Sequence, residues 1–219
     1  PAPTTPIQTK DFSWSITGTY STNKNEVNNI EGEQFGIGNF GFSVAKNGNP
    51  LGVFYQGFYA RNPDGSLLLT PSGLPQREKG SFDANGNPVP ERDGSGQPSG
   101  SNLSKVIGDP NPDFIASLTN ELTYKNFSFR MQFDAVQGVD VLSWDTRMFY
   151  RFGGGPASAS ELAGDDVRGT GAANFGIAES YIEDGSYIKL REVSASYLLE
   201  KPLKGINSIK FTLTGRNLF

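Results

Sequence analysis

Hydrophobic and polar positions alternate most clearly over residues 11–22, where Phe12, Trp14, Ile16 and Tyr20 share one parity and Ser13, Ser15, Thr17, Thr19 and Ser21 the other. A period of two marks a strand with unlike faces, here one apolar and aromatic and one built of hydroxyls. Its length fits the roughly 9 to 11 residues of a tilted membrane-crossing strand better than the about 5 to 6 of a globular one.

Residues 114–136 predict a hairpin. A two-residue turn at Lys125 and Asn126 pairs Tyr124 with Phe127, Leu122 with Phe129, Leu118 with Phe133 and Ala116 with Ala135. The same register pairs Thr123 with Ser128, Glu121 with Arg130, Thr119 with Gln132 and Ser117 with Asp134 on the opposite face. A slip by one residue would undo both faces at once, so this register is strongly specified. A third pair is expected over 187–199 and 208–218, joined around Pro202 and Gly205. In its first strand Ile188 and Leu190 share one parity and Val193, Ala195 and Tyr197 the other, which predicts a bulge near Arg191 and Glu192.

Two long connections, at about residues 23–113 and 138–186, separate these strands and are rich in Gly, Pro, Asn, Asp and Ser, with a short strand expected at 53–61. Connections of this length carry function when they occur in compact folds. Short turns at one end and long loops at the other predict an all-β fold, part of a transmembrane antiparallel β-barrel with short periplasmic turns. Alternation alone leaves a second fold open, a secreted β-sandwich that binds carbohydrate without transport.

Composition narrows the chemistry. The 219 residues include 27 Gly and 14 Pro with a 12% aromatic share, which favours turn-rich β structure. With no Cys and no His, disulfides, Cys/His zinc sites and His-dependent triads are excluded. The net charge is −4 with no basic stripe, so nothing is built to neutralise nucleic-acid phosphates. No run reaches the roughly 18 apolar residues of a membrane helix, which leaves a barrel untouched.

Candidate sites are of the binding kind. On the hydroxyl-rich face, Glu121, Arg130, Gln132 and Asp134 would face a barrel lumen, to contact plug or solute or simply to be solvated. Around Ser143 to Arg151 a helical turn brings Trp144, Arg147, Met148 and Arg151 to one side, and with Asp145 and Tyr150 these are substrate-contact candidates. An aromatic ring beside Arg and Asp suits a sugar or peptide, although Trp144 serves equally as a loop anchor. Tyr124, Phe127, Phe12 and Tyr197 are placed to form an aromatic girdle. Asp83, Asn85 and Asn87 have the first three spacings of a calcium loop, but Gly94 stands where its glutamate belongs, so an Asx turn is expected and no cofactor. No catalytic residues are expected: Glu183 and Asp184 are neighbours on a strand and point apart, and Gly153-Gly-Gly155 follows no phosphate-loop pattern.

The stretch Tyr181-Ile-Glu-Asp-Gly-Ser-Tyr-Ile-Lys-Leu-Arg-Glu-Val193, continuing through Ser194-Ala-Ser-Tyr197, resembles the late-barrel signature of SusC/RagA-type TonB-dependent outer-membrane transporters. So do Lys10-Asp-Phe-Ser-Trp14 with Asn23-Lys-Asn25, Ile107-Gly-Asp-Pro-Asn-Pro-Asp-Phe114 leading into Leu122-Thr-Tyr-Lys-Asn-Phe127, and Leu213-Thr-Gly-Arg-Asn-Leu-Phe219, in that family's order. The resemblance implies a barrel of 22 strands in the outer membrane, filled by an N-terminal plug, powered through TonB and capped by a SusD-like surface lipoprotein that captures glycan or peptide. Residues 1–219 would supply the C-terminal part of that barrel, with the plug, the TonB-contacting region and the final strands outside them. An open sheet would leave unpaired edges in lipid, so the expectation is a piece of a longer chain.

Overall fold

The computed structural model describes residues 3–32, 34–152 and 171–218, and the glycines at 153–155 lie outside that range. In chain order the strands open with β1 (Thr4–Gln8) and β2 (Phe12–Ser21). Short strands follow: β3 (Gln34–Ile37), β4 (Ser43–Lys46), β5 (Val53–Gln56), β6 (Lys79–Phe82) and β7 (Pro88–Arg92). After β8 (Pro98–Ser99), β9 (Ser101–Asn102) and β10 (Lys105–Gly108) come the long strands β11 (Phe114–Tyr124) and β12 (Phe127–Gln137). Then β13 (Asp140–Leu142), helix α1 (Trp144–Phe152), helix α2 (Gly171–Phe175) and β14 (Ile182–Asp184) precede β15 (Tyr187–Leu203) and β16 (Ile206–Arg216).

The chain divides into two compact units, one of residues 1–23, 112–138 and 185–219, the other of 24–111 and 139–184. The first is a single antiparallel sheet in the order β1-β2-β11-β12-β15-β16. Its central hairpin has the register read from the sequence, from Phe114 opposite Gln137 to Tyr124 opposite Phe127 around the Lys125-Asn126 turn. Lys125 takes a φ of 51°, and Asn126 donates its side-chain N–H to the Leu198 carbonyl at 2.7 Å, which ties the turn to β15. The expected bulge is present: Gln132 faces Glu192 and Phe133 faces Leu190, leaving Arg191 as the extra residue. The extra residue restores phase, so Ile188 and Leu190 lie on the same face as Val193, Ala195 and Tyr197. β15 runs further than the sequence suggested, through Pro202 to Leu203.

This sheet has almost no core of its own. Leu190, at 8% exposure, is its one fully buried hydrophobic residue among those described. Across the apolar face Tyr20, Leu118, Tyr124, Phe127, Phe129, Ile188, Phe211 and Leu213 all stand exposed, Leu213 at 79%. Such a continuous apolar surface exceeds what a soluble monomer leaves in water. A sandwich would cover this face with a second sheet, whereas a barrel gives it to lipid.

The second unit corrects the expectation of two long loops carrying one short strand. It has a core of Val44, Ala45, Val53, Phe54, Phe58, Tyr59, Ala60, Leu103, Ile177, Ala178 and Tyr181, and it carries its own sheets, β10-β5-β4-β3, β8-β7-β6-β9 and β13-β14. Of the strand expected at 53–61, the part 53–56 is β5, while Tyr59 and Arg61 form isolated bridges to Arg77 and Leu67.

One turn design recurs at residues 62–66, 70–74, 83–87 and 93–97. In each, the first residue's N–H donates to the fifth carbonyl and the N–H of the fourth-position glycine to the first carbonyl, at 2.8 to 3.0 Å. The glycines Gly65, Gly73, Gly86 and Gly96 have φ of 87°, 82°, 76° and 78°, values an L side chain rarely adopts. A tight turn closed by a left-handed residue is a hairpin connection, which is how a Gly-rich stretch becomes a meander of short strands.

Candidate functional site

On the polar face of the six-stranded sheet, charged side chains from four adjacent strands join hands. Arg130 on β12 lies 3.3 Å from Glu121 on β11 and 3.6 Å from Glu192 on β15, and Glu192 accepts from Arg216 on β16 at 3.2 Å. Beside this row, Asp134 accepts from Arg191 at 2.7 Å, from Gln132 at 3.1 Å and from Ser117 at 2.8 Å. Gln132 closes the gap by accepting from Arg130 at 3.4 Å. The sheet thus brings the sequence-predicted Glu121, Arg130, Gln132 and Asp134 into one network. Glu192, Arg191 and Arg216 complete it: the bulge hides the parity of the two β15 residues in the sequence, whereas Arg216 follows the polar alternation of β16 and only the pairing of β15 with β16 brings it to Glu192. The bulge aims the extra residue, Arg191, at Asp134. Glu192, with a side chain 16% exposed, is held between two guanidinium groups, whereas Glu121 is 54% exposed and interacts weakly through water.

In the second unit, helix α1 starts at Trp144 just after Ser143, whose hydroxyl accepts the Thr146 amide N–H at 3.4 Å and donates to the Thr146 hydroxyl at 2.8 Å. Asp145 sits in the first turn, Arg151 in the last, and both carry favourable charge for the helix dipole. Spacings of three and then four residues stack Trp144, Arg147 and Arg151 along one side of the helix. There the Arg147 guanidinium lies 4.7 Å from the Trp144 ring centroid, 4.5 Å from Phe175, 5.3 Å from Phe42 and 6.0 Å from Tyr181. Phe40 and Phe42 pack on Trp144 at 4.8 and 6.1 Å. Arg151 joins the rim, 5.3 Å from Phe175. Burial pushes the Tyr181 hydroxyl pKa up, a shift opposed by its hydrogen bond from Arg147. Arg147 and Trp144 therefore hold an aromatic cage together. Asp145 stays exposed and Tyr150 half-buried on the same helix.

Elsewhere in this unit Glu78, only 3% exposed, accepts both arms of the Arg92 guanidinium, at 2.6 and 2.9 Å. That pair raises the Arg92 pKa above its ordinary value. Arg77 has no acid partner among the described residues; it donates to the Leu103 carbonyl at 3.1 Å, and desolvation lowers its pKa. Its guanidinium lies where a side chain on Gly57 would collide, so position 57 must be glycine for Arg77 to pack there. At 83–87 the expected Asx turn is formed: Asp83 Oδ1 accepts the N–H groups of Asn85 and Asn87, both at 2.8 Å, and Oδ2 accepts the Asn87 amide at 3.0 Å. These bonds hold the Asp83 pKa below the usual carboxylate value.

No protein-family model matches the chain. Two proteins of Formosa agariphila do: TonB-dependent receptor P3, 28% identical over 97% of this chain, and TonB-dependent receptor P26, 29% identical over 98%. The structure aligns over 99% of its length with the RagAB peptide importer in its closed-closed state, at a TM-score of 0.70 and 20% identity, and with a second RagAB peptide transporter structure at 0.65 and 19%. Over nearly its whole length the chain is similar to TonB-dependent receptors and to the RagAB importer structures. The chain spans 22% and 23% of the two receptors and 24% of the RagAB chains. With that similarity come the fold, a fragment of a transmembrane β-barrel, and the location, the outer membrane. The exposed apolar face of the sheet then has its solvent, and the lack of a core beneath it needs no further cover.

Proposed function

We propose that the chain forms barrel wall and extracellular loops of an outer-membrane importer of glycan or peptide, energised through TonB and working with a SusD-like surface lipoprotein. The observation that carries this reading is the contrast between the two units. A sheet with one exposed apolar face and one charged, hydroxyl-lined face suits a wall between lipid and a solute path, and a separately cored unit suits solute capture. On this reading Glu121, Arg130, Gln132 and Asp134 line the lumen, and their network supports the plug. Trp144 and Arg147 brace the loop unit, and Asp145, Tyr150 and Arg151 of the same helix contact solute. The RagAB assemblies are peptide importers, which supports a lidded transport cycle and leaves the choice between sugar and peptide to the loop unit.

Uptake of fluorescent oligosaccharide and peptide mixtures by cells carrying the full-length protein tests this. Uptake should collapse to background when TonB is deleted or the proton gradient discharged. Uptake that persists in both conditions contradicts active import.

A further inference from the structure

The second unit contains an open groove of about 560 Å³, lined by Phe58, Tyr59, Arg61, Pro63, Glu78, Arg92 and Lys105 among others. That volume falls within the range of sites for small organic ligands. Two of its three cations are already matched: Arg92 by Glu78 at 2.6 Å and Arg61 by Glu179 at 3.2 Å. Lys105 is not. Its ammonium sits 4.4 Å from the centre of the Phe58 ring, and among the described residues no carboxylate lies within ion-pair distance. A ring face attracts a cation without consuming its N–H donors, so Lys105 is held in place with its hydrogen-bonding capacity unspent. Phe58 and Tyr59 are 7% and 6% exposed, so this floor is fixed by the core rather than free to swing. Pro63 and Pro90 add rigid apolar wall.

We propose that this groove is a subsite for a carboxylate-bearing unit of the solute, with Lys105 meeting the charge and Phe58, Pro63 and Pro90 bordering the carbon skeleton. The proposal rests on the import reading for its solute, and it adds the chemical class. A uronic acid residue and a peptide carboxylate share that chemistry.

Full-length protein in detergent micelles, titrated calorimetrically, separates the sources. The probes are trigalacturonate against its methyl triester, and pentaglycine against pentaglycine amide. At least one acid should bind about tenfold more tightly than its neutral counterpart, the worth of one partly solvated charge contact. Preference for the uronate alone assigns a sugar source, and preference for the peptide acid alone assigns a peptide source. Lys105→Gln should abolish the preference, Lys105→Arg should restore it, and Lys204→Gln should leave it unchanged. Equal binding of both acids and their neutral forms, or an undiminished preference in Lys105→Gln, overturns the proposal. The titration needs no energised membrane, so a failure of TonB-dependent uptake with the acid preference intact would sink the import reading alone.

Discussion

Trp14 donates its indole N–H to the side-chain oxygen of Asn120 at 3.2 Å, on the apolar face of the sheet. Asn120 interrupts an otherwise hydrophobic series on β11, between Leu118 and Leu122, and its cross-strand neighbours are Ile16 and Met131. A polar side chain turned toward hydrocarbon has no water to bond to, so the indole supplies its partner from within the wall.

The pair should therefore be asymmetric under mutation. Trp14→Phe leaves the Asn120 amide oxygen without its donor and should cost about 1 to 3 kcal/mol. Asn120→Leu in the same background should recover most of that loss. Melting of the full barrel in detergent, followed across the two single variants and the double, checks this. Strict additivity of the two single effects would mean the hydrogen bond contributes nothing.

Face assignment gives a second test, on β12. Phe129→Arg puts a charge on the apolar face and should destabilise by about 2 to 4 kcal/mol if the site lies near the bilayer midplane, whereas Gln132→Arg on the polar face should be mild. Equilibrium refolding into lipid vesicles measures both, and a reversed order would exchange the two faces.

Within the charged row, Glu192 should matter more than Glu121. Glu192→Gln removes the acid shared by Arg130 and Arg216, while Glu121→Gln removes an exposed partner worth no more than about 1 kcal/mol. Their melting temperatures should rank accordingly. Equal losses would place Glu192 in free solvent, against its position between two guanidinium groups.

The turn at 93–97 predicts a pH dependence. Asp93 Oδ1 accepts the N–H groups of Ser95 at 2.8 Å and Gln97 at 3.0 Å, and the Ser95 hydroxyl donates to it at 2.7 Å. The hydroxyl bond and then the two amide bonds lower the Asp93 pKa from its ordinary value. A carboxylate depressed in the folded state stabilises it above the unfolded pKa of about 3.9, and the contribution is lost as the pH falls through the lower folded value. Amide exchange at Ser95 and Gln97, corrected for intrinsic rates, should thus hold its protection down to about pH 4 and lose it below. Asp93→Asn should show weaker protection with no such transition. Loss of protection already at neutral pH in the wild type would contradict the bond geometry.

The wall was legible in the sequence because its information is local and has a period of two. The register of β11 and β12 followed from matching both faces at once, and the bulge at Arg191 followed from a change of parity within β15. The second unit was not read, because its pairings depend on four turns whose signal is a glycine three residues after Asn62, Thr70, Asp83 and Asp93. That spacing was visible, yet the stretch looks like loop when each turn is judged alone. The pairing of Glu78 with Arg92, and the meeting of Arg147 with Phe42 and Phe175, join residues that only the folded core brings together. α1 was anticipated, while its partners were not.

The most direct test of the central claim uses the absence of cysteine in the chain. Single cysteines at positions 117 to 123 on β11 and 128 to 134 on β12 of the full-length protein, spin-labelled in lipid vesicles, report collision with oxygen, which concentrates in lipid, and with a water-soluble nickel chelate. The account predicts strict alternation, with positions 118, 122, 129 and 133 oxygen-accessible and positions 119, 121, 130 and 132 favouring the chelate. No alternation, or chelate access at Leu118 and Phe129, would contradict a barrel wall with its apolar face in lipid.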